Sequence, residues 1–193
     1  MNVRFLGIFL LLTPGFLVAQ NATKPFKSCG KTYADARKVW ESPAVIPAIR
    51  SYMEHCQIEI TPPQRARLLG QLGKMLVKTR NYSEASPILR ECRAISLEHE
   101  LRGDLALCWE QSGESAVLQG ACDAAETAFK ATIDVPTTDN LSAAVHELAE
   151  EWRGLLTEAR GHNGLLQVPA PLSPDQQAAT IQCGYIEPVG EVQ

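Results

Sequence analysis

Beyond residue 30, apolar side chains recur at intervals of three and four with short polar breaks, the signature of successive amphipathic helices. Residues 31–40 place Tyr33, Ala36, Val39 and Trp40 on one face. The proline-rich stretch SPAVIP leads into a second helix, predicted from Pro47 to His55. Thr61, Pro62, Pro63 and Gln64 then supply an N-cap, first-turn prolines and a capping-box glutamine for a long helix reaching about Lys78. Further helices are predicted over 82–97, 102–118, 121–134 and about 140–160, the last ended by Gly161 and Gly164. From Leu165 to Gln193 four prolines interrupt any period, so this segment reads as an irregular tail, extended or disordered. No strand-rich block is apparent. The pattern is that of an all-α chain, with a helical domain over 20–164 and a tail over 165–193.

Comparing the chain with itself adds information. By residue size, 66–95 matches 106–133 at an offset of 40: Leu69 with Trp109, Gly73 with Gly113, Leu76 with Ala116, Tyr82 with Cys122, Ala85 with Ala125 and Leu89 with Phe129. A glycine in mid-helix costs about 1 kcal/mol in propensity, so two at matching positions point to a close helix crossing. Leu69, Leu72, Gly73, Tyr82, Ala85 and Leu89 in one copy resemble the tetratricopeptide repeat family, as do Trp109, Gly113, Gly120, Ala125, Phe129 and Pro136 in the other. Shorter partial matches lie at Tyr33, Ala36 and Trp40, and at Val145, Leu148, Ala149 and Trp152. The resemblance implies a short right-handed solenoid of helical hairpins that binds a protein or peptide and has no catalytic activity. Two features depart from the family pattern. The copies are offset by 40 residues where the family repeats every 34, which predicts a longer turn around 98–104. Arg80 and Ser112 stand where a small and a bulky residue are expected.

Arg4, the 15-residue apolar stretch that follows it and small-residue termination at Ala19 predict a secretory signal over 1–19, and so a secreted or periplasmic protein. The stretch is too short to span a bilayer, and no second long apolar run follows. The six cysteines agree with export, since an even number can pair fully in an oxidising compartment. Six cysteines allow 15 connectivities, which the hairpin layout implied by the resemblance narrows. Cys92 and Cys108 are symmetric about residue 100, the middle of the connection between their helices. Cys29 and Cys56 lie at opposite ends of the first hairpin, leaving Cys122 for Cys183. Asn21, Asn81 and Asn140 stand in glycosylation sequons, but Asn81 and Asn140 are better read as turn and helix-cap residues.

The composition, 45% hydrophobic and 21% charged, suits a globular protein. A net charge of −4 argues against a nucleic-acid partner, which requires a basic face. His146, Glu147 and Glu150 form an incomplete version of a zinc-binding helix motif, with Glu150 where a second histidine is needed, so a metal-assisted hydrolase would need ligands from elsewhere. No other catalytic constellation or cofactor motif is identifiable. In the tetratricopeptide family the first helix of each pair lines a groove. The resemblance places Arg67, Lys74 and Lys78 at one end of it and Glu110, Gln111 and Glu114 at the other. Such a groove would suit an extended polypeptide of opposite polarity. A structural envelope or extracellular component without a groove ligand is the remaining alternative.

Overall fold

The computed structural model describes residues 29–168 and 179–184. The expected signal sequence and Asn21 lie outside them. The described residues form seven helices: α1 Cys29–Lys38, α2 Val45–His55, α3 Pro62–Lys78, α4 Tyr82–Glu98, α5 Arg102–Leu118, α6 Cys122–Asp134 and α7 Asn140–Gly161. The fold is all-α, as the periodicity indicated, and it carries three cystines. α3 opens as expected, with the Thr61 backbone N–H donating to Gln64 Oε1 at 3.0 Å. At α7 the cap is Asp139, whose carboxylate accepts from the Ser142 N–H at 2.7 Å. The neighbouring Asn140, expected as a cap, is the first helical residue instead.

The offset of 40 has a different origin from the one expected. The turn near 98–104 is not lengthened: α4 and α5 are joined by three residues, 99–101, as α3 and α4 are by 79–81. The extra length lies in the helices, because α3, α4 and α5 each run 17 residues. Both hairpins turn in the same way. Asn81 N–H donates to Leu76 C=O and Ala121 N–H to Ala116 C=O, at 2.7 and 2.9 Å. The residue before each is left-handed: Arg80 at φ 60° and Gly120 at φ 75°. Glycine adopts this conformation freely, whereas arginine is strained in it.

Packing inside each hairpin explains the paired glycines. A Cβ on Gly73 would lie 2.3 Å from Leu89 Cδ2, and one on Gly113 would lie 2.5 Å from Phe129 Cε1. Neither neighbour can retreat, since Leu89 and Phe129 are both fully buried. Phe129 is also stacked on Trp152 of α7, with ring centroids 5.8 Å apart. One apolar cluster joins α2, α3 and α4 through Ile49, Leu69, Leu72, Leu76 and Leu89. A second joins α6, α7 and the C-terminal segment through Phe129, Trp152, Leu156 and Leu166. α5 lies between them, touching α3, α4, α6 and α7.

The cystines are Cys29–Cys56, Cys92–Cys108 and Cys122–Cys183, the pairing that the hairpin layout suggested. The tail, however, is not wholly irregular. Leu165–Val168 (β1) and Ala179–Gln182 (β2) form an antiparallel pair, with Leu166 opposite Ile181. Cys183 N–H donates to Gly164 C=O at 2.7 Å, and Gly184 N–H to Gly120 C=O at 2.8 Å. These long-range bonds, formed beside the third cystine, leave no mark in the local sequence.

Gly113→Leu should destabilise the protein by about 1–3 kcal/mol through overpacking against Phe129, although leucine is the better helix former. A higher melting temperature would remove the crossing role. Arg80→Gly should do the opposite and stabilise by up to about 1 kcal/mol, read from denaturant midpoints, because it relieves a left-handed arginine.

Candidate functional site

Lys74 and Lys78 lie one turn apart on α3, and Glu110 and Glu114 one turn apart on α5. α3 and α5 are in contact, so the six expected groove residues do fall on neighbouring helices. Their exposure differs sharply between the two. Arg67 is accessible and makes a two-pronged contact with Asp104, Nε to Oδ1 at 3.2 Å and Nη2 to Oδ2 at 3.4 Å. Asp104 thereby holds the guanidinium firmly in its charged form. Lys74 contacts Glu41 at 3.3 Å, and Lys78 is half-buried. On α5 the side is closed: Glu110, Gln111 and Glu114 are only 1%, 4% and 7% exposed. The acidic end expected as an open rim is therefore an interior layer. α5 is the helix enclosed by four others, so its polar positions are covered where those of a peripheral helix would be solvated.

This interior layer is only partly satisfied. Gln111 Nε2 donates to Glu110 Oε2 at 2.5 Å. Glu110 Oε1 and Gln111 Oε1 are buried with no hydrogen-bond partner among the described residues. Burial pushes the Glu110 carboxyl up to about 8; the Glu114 charge adds to this, while the Gln111 bond and Lys74 oppose it. Burial raises Glu114 too, against the pull of Lys78 and Lys74. Burial therefore favours the protonated form of the Glu110 carboxyl, and the cluster carries less negative charge than its composition suggests. The sequence held the residues of this cluster but no sign of their burial. It also held no sign of Glu41 and Asp104, whose pairing with Lys74 and Arg67 is purely tertiary.

The residues singled out for metal chemistry are not brought together. His146 Nδ1 lies 2.9 Å from Thr137 Oγ1, Glu150 pairs with Arg153 at 3.7 Å, and Glu147 is exposed. Among the described residues no group of three or more His, Cys, Asp or Glu is placed to hold a metal ion. Asn81 and Asn140 are both exposed, and Asn81 donates to Glu84 at 3.1 Å. No described helix is long and apolar enough to cross a membrane. No protein-family model matches the chain, and neither a curated protein nor a solved structure matches it.

The raised Glu110 carboxyl sets a direction for stability against pH. The folded protein keeps a proton that the unfolded chain releases near the ordinary value of 4.5. This contribution is complete below about pH 4.5 and is lost as pH rises to about 8. Glu110→Gln, which cannot ionise, should flatten the decline and be the more stable form at pH 8 by about 1–3 kcal/mol. Urea titrations at pH 5, 6.5 and 8 would check this, and parallel curves for the two proteins would contradict it.

Proposed function

We propose that the chain is an exported helical-repeat module, similar to tetratricopeptide repeats, that binds a protein or extended peptide across α3 and α5. The observation that carries this reading is the cluster of Glu110, Gln111 and Glu114 beneath Lys74 and Lys78, with two buried oxygens that have no hydrogen-bond partner among the described residues. Burying two carboxyl groups without full hydrogen bonding costs a helix array stability. An unsatisfied buried polar group costs about 1–3 kcal/mol, a cost that a ligand supplying hydrogen-bond partners would offset. Lys74, Lys78 and Arg67 would meet the partner's acidic groups at the accessible edge, while an acceptor would meet the protonated Glu110 carboxyl and an N–H donor the Gln111 oxygen.

The repeat reading has support of its own. Gly73 and Gly113 hold equivalent crossings, while the left-handed turn and its hydrogen bond recur at all three connections, at Arg80, Glu100 and Gly120. Export is supported by three cystines, which persist in oxidising compartments and are rare in reducing ones.

Selection of random peptides on the immobilised, disulfide-bonded protein tests this directly. An enriched peptide should bind saturably. The double reversal Lys74→Glu, Lys78→Glu should weaken it, mostly through association rate and most strongly at low salt. Arg37→Glu with Lys38→Glu, on α1, makes an equal charge change and should leave affinity unaltered. Equal losses from both pairs would indicate diffuse electrostatics, and a selection that enriches nothing would overturn the reading.

A further inference from the structure

A groove of about 390 Å³ runs between α4 and α5, and none of the Lys74–Glu114 cluster residues lines it. Ser83, Ser86 and Arg93 line it from α4, and Ser112 and Ser115 from α5. Its lining contains no carboxylate, and Arg93 is its one cationic side chain.

Arg93 differs from the other arginines that cross between elements. Arg50 pairs with Glu84, Arg65 with Glu91, Arg67 with Asp104 and Arg160 with Asp123. No carboxylate pairs with Arg93 among the described residues. Its guanidinium lies 4.2 Å from the centre of the Trp109 ring, and its Nη1 donates to Ser112 Oγ. Ser112 is itself fixed, because its hydroxyl donates to the Cys108 carbonyl at 2.7 Å. The Cys92–Cys108 cystine holds α4 and α5 together beside this point. Arg93 is half-buried, and both that burial and the Arg90 charge weigh against its charged form. A cation held in place, partly stripped of water and given no counter-ion is an expensive arrangement. A guanidinium carries five N–H donors in a planar fork, and Ser112 occupies one of them. Trp109 restrains one face of that plane, leaving edge donors to meet an acceptor in the plane.

Ser112 connects this site to the sequence. It stands where the repeat pattern calls for a bulky residue, and a large side chain there would fill the space beside Arg93. Replacement by serine both opens the groove and supplies the hydroxyl that orients the guanidinium.

We propose that the α4–α5 groove binds an oxyanion (a carboxylate, sulfate or phosphate group) on the Arg93 fork, with the body of the ligand lying along the serine hydroxyls toward Ser83. The three groups share the chemistry of planar, charge-assisted recognition by arginine. The site does not depend on the peptide-binding reading of α3 and α5.

Trp109 provides the readout. The purified disulfide-bonded protein is titrated with sodium sulfate, phosphate or acetate at constant ionic strength, chloride serving as reference, while tryptophan emission is followed. At least one anion should give a saturable change that chloride does not, and the preferred anion distinguishes a sulfated or phosphorylated ligand from a carboxylate. Arg93→Met, which keeps the apolar stem over Trp109, should abolish the change. Arg93→Lys should weaken binding about tenfold, since charge remains but the fork is lost. Ser112→Ala should weaken it several-fold without removing the charge. Trp109→Phe should remove the optical signal while anion-dependent protection against heating persists, which assigns the signal to this site and not to Trp40 or Trp152. No saturable change with any of the three anions, or the same change in folded Arg93→Met or in folded Ser112→Ala, would overturn the proposal.

Discussion

Two helices can approach only as closely as the largest side chain at their crossing allows, and in this protein that limit is set by having no side chain there. At Gly73 and Gly113 the neighbouring Leu89 and Phe129 occupy the space where a Cβ would stand. The helix propensity given up at each glycine, about 1 kcal/mol, is exchanged for a buried leucine or phenylalanine seated against backbone. A fully buried side chain of that size contributes about 1.5–3 kcal/mol. The α3–α4 and α5–α6 separations follow from these crossings. So does the position of Trp152, which stacks on the Phe129 ring that the second crossing fixes.

With these pairs in place, the cystines secure what helix packing alone would leave loose. Cys29–Cys56 closes the α1–α2 hairpin, whose own packing is modest. Cys92–Cys108 joins α4 to α5, a junction between hairpins that lacks a glycine crossing. Cys122–Cys183 spans 61 residues and brings β2 against the turn at Gly120. Constraining the unfolded chain at these points is worth roughly 2–4 kcal/mol for each bridge. The first cystine matters most for α1, which buries Ala36 alone.

Against this economical frame, the polar groups around α5 are conspicuous. Glu110 and Gln111 leave oxygens unsatisfied in the interior, and Arg93 lies half-buried without a carboxylate. Both features cost stability, and the helices are also held by apolar packing, by cystines and by the ion pairs Arg50–Glu84, Arg65–Glu91, Arg67–Asp104 and Arg160–Asp123. Both involve α5, Glu110 and Gln111 as its own residues and Arg93 through its bond to Ser112. α5 thus combines contact with four other helices with two buried side-chain oxygens that lack a hydrogen-bond partner among the described residues.

The sequence by itself determined the helices and most of their ends, because capping, proline placement and a 3.6-residue period are local properties. Thr61 with Gln64, and the break after Lys78, were legible for that reason. The internal match at an offset of 40 also disclosed the crossings, since a mid-helix glycine gives up helix propensity and is kept where a neighbour needs the room. That match then yielded the cystine pairing. It misplaced the extra residues in a turn, because helix length and loop length contribute alike to a repeat spacing. Only the tertiary structure decided that Glu110, Gln111 and Glu114 are interior, that Arg67 and Lys74 are already paired, and that Leu165–Val168 pairs with Ala179–Gln182. Charge and burial at a helical position depend on which neighbours cover it. A single helix shows its own faces but not the number of helices that will enclose it, and α5, enclosed on four sides, is where that missing information was greatest.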